Sequence, residues 1–468
     1  MLLVDSKDQC LKRPATKSGK NKLTSMSLPS FYETKPYKFQ EEIVDKSKDE
    51  KFYGLFLEQG TGKSKIAIDT FNYLLSENKI EGVVIICPKS LIYNWLNNEI
   101  PKHSKIKDLN ILVTNYENLK HVENFLKGFE SILILDESSK IKNPRAQKTK
   151  KLLKLAKLAK YRRILTGTPV TQGVQDLFSQ LNFLQKDIMG SYYHFKTMYL
   201  RTQRIDLGHR AFEKIVGYQN IDSLHRILDH FCSRVLKKDV LELPEKIYDQ
   251  VRVPMTKTQR EYYETLKNDL IIETEDGALT TPEIVTKMLR LQQICGGFFP
   301  LNDGEKIVEI NPNPKINAVL DLINEGEKVI IWCTFLAEIA KLQETLSKNH
   351  KVVTYQGSKS AKERSQAVDQ FQNGSANVFI GNPQTGGMGI TLTSCHKVIY
   401  YSNDFSLENR LQSEDRVHRI GQEHPVTYID ILCDRSIDSH VLRSLKSKKS
   451  VSKIATDFVG KNAIQQSS

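Results

Sequence analysis

Short apolar runs rich in β-branched residues recur along this chain, and between them apolar positions return at helical spacing. In the first half the runs fall at 54–57, 83–87, 110–114, 131–135 and 163–165; in the second half they fall at 329–333, 352–355, 378–380, 398–401 and 427–432. A strand with one face in water alternates apolar and polar residues, because successive side chains point to opposite faces. These runs are apolar throughout, so they predict strands covered on both faces. Strands alternating with helices predict parallel sheets with right-handed crossovers. Two such sets predict two α/β lobes.

The middle, 175–310, has a different pattern. Helical spacing dominates at 223–236, at 259–270 and, after an acidic, glycine-containing break, at 282–295. We expect helical insertions and a brace between the lobes, not a third fold. The ends are polar and basic without periodicity. The expected organisation is a basic tail at 1–30, a first lobe at 31–240, a helical linker at 241–310, a second lobe at 311–442 and a fraying basic tail at 443–468.

Composition narrows the class. The 468 residues allow roughly two to four domains, and 39% hydrophobic with 26% charged residues is enough to build cores. No apolar run approaches the roughly 20 residues that cross a bilayer. The opening Met1-Leu2-Leu3-Val4-Asp5 is too briefly apolar for a secretory signal. The seven cysteines include no Cys-x-x-Cys pair, which argues against a zinc module and a disulfide framework. We expect a reduced, intracellular protein without a membrane partner, in the cytoplasm of a bacterial or phage-infected cell or in a eukaryotic nucleus. The net charge of +13 suits a polyanionic partner, since phosphate contacts by Lys and Arg release counterions. Segment 140–163 concentrates that charge: eleven of its twenty-four residues are Lys or Arg and none is acidic. Within it Leu152, Leu155, Ala156 and Ala159 form an apolar stripe, while Lys150, Lys154 and Lys157 share another face. A solvated helix face explains such a run as well as a nucleic-acid surface does.

The strongest local signal is Glu58-Gln59-Gly60-Thr61-Gly62-Lys63-Ser64, directly after the first predicted strand and before a helical stretch. A phosphate-binding loop needs glycines so that backbone N–H groups wrap the phosphates. It also needs a lysine for the β/γ charge, a hydroxyl for Mg²⁺ and a helix N-terminus facing the anion. Gln59, Gly60, Thr61, Gly62, Lys63 and Ser64 supply all of these, although Leu57 stands where the full G-x-x-x-x-G-K-[ST] pattern has its first glycine. The partner signal is the strand end Leu135-Asp136-Glu137. There Asp136 would join Ser64 on Mg²⁺ and Glu137 would act on the attacking water. Upstream, Gln40 is a candidate for hydrogen bonding an adenine edge. Near the C-terminus, Arg416 and Arg419 lie three apart, hence on one helical face, as candidate arginine fingers.

Around those arginines the sequence becomes specific. Arg416-Val417-His418-Arg419-Ile420-Gly421-Gln422 resembles the sixth motif of the Swi/Snf-type ATPases, a branch of helicase superfamily two. Glu58 to Ser64 resembles the first motif, Ile86-Cys87-Pro88-Lys89-Ser90-Leu91-Ile92-Tyr93-Asn94-Trp95 motif one-a, and Thr114-Asn115-Tyr116-Glu117 the segment after it. Asp136-Glu137-Ser138-Ser139, with Lys140-Ile141-Lys142-Asn143-Pro144, resembles the second motif, and Leu165-Thr166-Gly167-Thr168-Pro169 the third. Tyr355-Gln356-Gly357-Ser358 and Gly386-Gly387-Met388-Gly389-Ile390-Thr391-Leu392 resemble the fourth and fifth. The set runs in family order over about 35–435. Three departures stand out: Ser139 where the family usually has histidine, Val170-Thr171-Gln172-Gly173 after the third motif, and Ile390-Thr391 in the fifth.

The resemblance implies two RecA-like parallel-sheet lobes joined by a largely helical insertion, with ATP and Mg²⁺ between them and double-stranded or branched DNA as partner. It implies catalytic roles for Lys63, Asp136, Glu137, Arg416 and Arg419, and places Gly389 among the nucleotide-binding residues. The implied activity is ATP-dependent translocation on duplex DNA that remodels DNA or protein–DNA complexes, in a compact form like phage, bacterial or fork-remodelling versions. Two rival readings are a strand-separating DNA or RNA helicase and a non-catalytic DNA-binding scaffold. The intact Lys63, Ser64, Asp136, Glu137, Arg416 and Arg419 speak against the scaffold.

Overall fold

The apolar runs become the strands of two parallel sheets in the computed structural model, which describes residues 2–3, 31–106, 109–170, 173–186, 188–206, 211–275, 281–301, 306–386 and 389–447. The chain divides into two units, Met1–Leu241 and Glu242–Ser468. The first sheet runs Leu2–Leu3, Asn110–Asn115, Gly82–Cys87, Ser131–Asp136, Tyr161–Leu165, Phe52–Leu57 and Cys232–Val235. The second runs Lys246–Val253, Val426–Cys433, Lys397–Tyr400, Val329–Trp332, Val378–Gly381 and Val352–Tyr355. Every neighbouring pair in both sheets is parallel. The expected α/β class therefore holds for each unit.

The central strand Val329–Trp332 shows why its run lacks polar alternation. Val329 and Ile331 enter one apolar cluster with Leu291, Ile294 and Leu342, while Ile330 and Trp332 enter another with Phe371, Phe379 and Tyr428. All four are fully buried. Each such side chain contributes about 1.5–3 kcal/mol on leaving water, so neither face tolerates a polar residue.

The middle of the chain departs from expectation. The helix expected at 223–236 is Ile221–Phe231, and Cys232–Val235 is instead an edge strand beside Gly54–Leu57. Its Cys-Ser-Arg-Val pattern shows only partial burial, so the end of the helix and the start of the strand have no contrast in sequence. Leu200–Asp206 and Ala211–Tyr218 form an antiparallel hairpin, and Phe298–Leu301 pairs with Lys306–Glu309 in another. Lys246–Val253 is a strand of the second sheet, yet only Val253 in it is buried, because it pairs on one side alone. The helices Lys257–Glu275 and Thr281–Cys295 pack Tyr263, Leu270, Met288, Leu291 and Ile294 into the core of the second unit.

At the ends, Leu2–Leu3 pairs with Ile111–Leu112 where a tail was expected. The ladder of an edge strand offers a partner to any β-prone segment. The helix Ile437–Lys446 runs past the expected boundary at 442, because Leu445 is buried. The basic residues expected in a tail at 4–30, and the tail from 448 on, lie outside the described residues.

Two cations of the basic segment have structural duties. Strand neighbours Arg162 and Arg163 point to opposite faces and each meets a helix C-terminus. Arg162 Nη1 donates to Leu184 O at 2.7 Å, at the end of helix Leu177–Leu184. Fully buried Arg163 donates to Ser47 O at 2.7 Å and Glu50 O at 2.8 Å, at the end of helix Lys38–Ser47. A guanidinium satisfies carbonyls that have no partner in the last turn and opposes the negative dipole end. Burial pushes the Arg163 guanidinium down to about 10.

Candidate active site

In a parallel sheet all strand C-termini open on one edge, where ligands of α/β folds bind. In the first unit, Phe52–Leu57 and Ser131–Asp136 flank Tyr161–Leu165. Their following loops carry Glu58–Ser64, Asp136–Glu137 and Thr166–Pro169, so one sheet edge gathers three of the sequence motifs.

The loop after Phe52–Leu57 turns through Gly60 at φ 81° and Gly62 at φ 86°, then enters helix Lys63–Ser76. Thr61 Oγ1 donates to Glu58 O at 2.7 Å and closes the turn. Lys63 Nζ donates to Leu57 O at 2.9 Å, and Ser64 sits half-buried in the first helical turn. Gln40 braces this loop. It is 1% exposed, accepts from Tyr37 N at 3.0 Å and donates from Nε2 to Thr61 O at 2.9 Å. A Cβ on Gly62 would fall 2.3 Å from that Nε2 and displace the amide from Thr61 O, while the left-handed φ is what calls for glycine. Gln40 is therefore not a plain surface amide: one amide hydrogen and one carbonyl lone pair are engaged with the loop and the preceding turn.

Asp136 ends its strand nearly buried. Trp95 Nε1 donates to its Oδ2 at 2.9 Å, and Glu137 N to its Oδ1 at 3.0 Å. Burial raises the Asp136 carboxyl above its ordinary range against the opposing pull of Trp95 and Lys63. The carboxylate thus has two neutral donors and a deficit of positive charge, the condition a divalent cation corrects. Glu137 follows at φ 55°, a left-handed conformation uncommon for glutamate and typical of strained functional turns. Ser138 Oγ donates to Gln180 Oε1 at 2.8 Å, and Gln180 Nε2 donates to Pro169 O at 2.8 Å. One buried amide thereby ties the loop after Asp136 to the loop after Leu165.

Trp95, Tyr116 and Gln180 had no individual role in the sequence reading. Trp95 begins a π-helical turn, Trp95–Glu99, and Tyr116 donates to Asp136 O at 2.8 Å. A π turn is frequent at functional sites, but it leaves no pattern in sequence. Trp95 closes the family-like string Ile86 to Trp95, which was the available signal.

The second unit places Arg416 and Arg419 differently from expectation. Helix Leu407–Glu414 ends before them, and both sit in the turns that follow. Tyr428 Oη donates to Glu414 O at 3.1 Å, Leu392 N takes Arg416 O at 2.9 Å, and fully buried Val417 turns into the core. Past Glu414 the ladder tightens, with Arg416 N donating to Ser413 O at 3.3 Å and Val417 N to Glu414 O at 3.1 Å in place of regular helical bonds. Arg416 Nε donates back to Gln412 O at 2.9 Å, and Arg419 Nη1 donates to Ile390 O at 3.3 Å, next to Gly389 at φ 74°. The fifth and sixth motifs are therefore knitted together, with Gly387 and Met388 outside the described residues.

A buried ionic cluster fixes the helix that delivers these turns. Arg410 donates to Glu414 Oε1 at 2.8 Å, Asn403 Oδ1 at 2.8 Å and Asp430 Oδ1 at 2.6 Å, and stacks 3.5 Å from the Tyr400 ring centroid. The other Glu414 oxygen accepts from Lys246 Nζ at 3.0 Å and Tyr248 Oη at 2.8 Å. Burial alone would raise Glu414, but Lys246 and Arg410 outweigh it and hold the carboxyl below its ordinary range.

Comparisons with known proteins bear on the same elements. A family model described as SNF2-related domain matches residues 98–297, and one described as Helicase conserved C-terminal domain matches 314–421. The first begins beyond the Glu58–Ser64 loop, whose assignment rests on its own residues and geometry. The SWI/SNF-related matrix-associated actin-dependent regulator of chromatin subfamily A member 1 of Homo sapiens is 26% identical, over 84% of this chain and 40% of that protein. An uncharacterized ATP-dependent helicase of Mycoplasma genitalium is 27% identical, over 86% of this chain and 40% of that protein. The chain spans about two fifths of the length of these relatives. Among solved structures, a Sulfolobus solfataricus SWI2/SNF2 ATPase core in complex with dsDNA is 25% identical, covering 91% of this chain and 93% of that one, at a TM-score of 0.41.

Proposed function

This chain belongs to the Swi/Snf family of helicase-type ATPases, and from that premise we propose that it hydrolyses ATP to move along double-stranded DNA. The observation that carries the reading is the gathering of Lys63, Ser64, Asp136 and Glu137 on loops of one sheet edge. Phosphoryl transfer asks the protein for positioning and charge more than for covalent chemistry.

Lys63 exchanges the carbonyls of Leu57 and Glu58 for β/γ-phosphate oxygens, while the Gly60–Gly62 backbone and the helix N-terminus wrap the anion. Ser64 and Asp136 would hold Mg²⁺, which when bound neutralises charge developing on the transferred phosphate. Glu137 orients the attacking water. Gln40 braces the loop, and its second amide hydrogen and second carbonyl lone pair are the groups an adenine edge would take. Arg416 and Arg419 supply cationic groups that respond to transition-state charge, and Gly389 gives the turn that Arg419 holds through Ile390. DNA, double-stranded or branched, is the partner that the family and the net charge of +13 favour.

The test is ATP hydrolysis by the wild type and Lys63→Ala with no nucleic acid, single-stranded DNA, duplex DNA or RNA. Stimulation chiefly by duplex, lost in the variant, is the expected result. Stimulation chiefly by single strands would replace translocation with strand separation. Absence of hydrolysis under every condition would overturn the motor reading.

A further inference from the structure

The basic segment 140–163 is not uniform once folded. Arg162 and Arg163 cap helices, Lys160 pairs with Glu130, and Lys151 lies close enough to Glu123 to lower its carboxyl. Helix Gln147–Ala156 buries Thr149, Leu152, Leu155 and Ala156 against the first unit. Lys150, Lys154 and Lys157 project from the opposite side, all exposed, and among the described residues none of the three joins an ion pair. The nearby acids are already committed: Glu123 to Lys127 and Glu130 to Lys160.

The stripe also has a definite place. Strand Ser131–Asp136 ends at the edge that carries the phosphate loop, and the following helix returns toward the other edge, where Tyr161 begins the next strand. Lys150 to Lys157 therefore descend the flank of the first unit, away from the nucleotide loops. The three ammonium groups span about 10 Å of helix axis at 1.5 Å per residue. Duplex DNA offers one phosphate per strand about every 3.4 Å of its axis, so the row matches about three phosphates. It carries only lysine point charges, without arginine forks or aromatic faces, which fits sequence-independent backbone contact and no base readout.

We infer that Lys150, Lys154 and Lys157 form a second contact for duplex DNA on the flank of the first unit, separate from the sheet edge that handles ATP. The inference rests on the proposed DNA reading and adds a surface to it. Its role is to hold a DNA arm by its backbone, raising affinity without touching hydrolysis.

The experiment uses the full chain and the triple variant Lys150→Gln, Lys154→Gln, Lys157→Gln. A control triple, Lys102→Gln, Lys348→Gln, Lys351→Gln, makes the same charge change elsewhere. Binding of a fluorescent 30-base-pair duplex is measured by anisotropy between 50 and 200 mM NaCl, beside ATP hydrolysis at saturating duplex. Losing three phosphate contacts should flatten the log–log salt slope by about 2.7. The wild type would then lose about 40-fold more affinity than the variant across that range. Maximal hydrolysis should stay unchanged, with more duplex needed to reach it. An unchanged slope in the variant, or an equal fall in the control triple, overturns the inference. Binding of polyglutamate that is lost in the variant while duplex binding persists overturns it in favour of an acidic protein partner. A wild type that hydrolyses ATP but ignores duplex overturns both this inference and the DNA reading, whereas an unaffected variant beside a duplex-stimulated wild type removes the flank contact alone.

Discussion

Arg410→Met asks whether the buried ionic cluster fixes the helix before Arg416. The substitution keeps most of the side-chain volume and deletes the charge. Asp430, 2% exposed, would retain Asn403 Nδ2 at 2.8 Å as a side-chain partner and lose both guanidinium bonds. Glu414 would lose its Arg410 bond and keep Lys246 and Tyr248. Removing one member of a buried pair leaves an uncompensated charge, which costs about 3–5 kcal/mol. For a unit of this size each kcal/mol shifts the midpoint by about 2–4 °C, so its melting should fall by roughly 6–20 °C. The assay is thermal unfolding of the full chain, with ATP hydrolysis followed at a temperature where the variant stays folded. Asp430→Asn added to Arg410→Met should recover part of the loss, because an amide is cheaper to bury than a carboxylate. The sign with pH follows from Glu414, whose folded carboxyl lies below its ordinary range. Its stabilisation is present above the unfolded value near 4.3 and disappears as pH falls through the folded one. The gap between wild type and variant should therefore narrow below about pH 4. A cost under about 1 kcal/mol, or no recovery with Asp430→Asn, would refute the reasoning.

Two further outcomes follow from the first unit. Gly62→Ala should raise the KM for ATP sharply, since a left-handed alanine costs about 1–2 kcal/mol and its Cβ meets Gln40 Nε2; adding Gln40→Ala should relieve the clash but not the backbone strain, and an unchanged KM in the single variant would refute it. Burial raises the Asp69 carboxyl to about 6 against the opposing Lys65 ion pair. A raised acid stabilises the fold while protonated, and that contribution is lost as pH rises through about 6. Melting of Asp69→Asn relative to wild type should accordingly improve between pH 4 and 7, and a flat difference across that range would show that Lys65 compensates the charge fully.

The apolar runs, the phosphate loop and the paired acids were legible because each depends on local spacing. A strand covered on both faces must be apolar throughout, and a loop that wraps phosphate must have glycines beside its lysine. Sequence alone thus determined the two parallel sheets and singled out Lys63, Ser64, Asp136 and Glu137 as the candidate residues, which the fold brings to one sheet edge. Tertiary structure decided what depends on partners far along the chain. Lys246–Val253 is a strand because Val426–Cys433 offers it a ladder, although its own residues are mostly exposed. Arg162 and Arg163 read as part of a basic surface, yet helix ends at Leu184 and Ser47 claim them. The helix before Arg416 gives way to a tighter turn in which Val417 is buried in the core and Arg416 O is taken by Leu392 N, a partner 24 positions back. Trp95 reaches Asp136 across 41 positions, and Gln180 reaches Ser138 across 42. Local propensity is a short-range property, whereas the satisfaction of buried charges and carbonyls is settled only when the chain has folded around them.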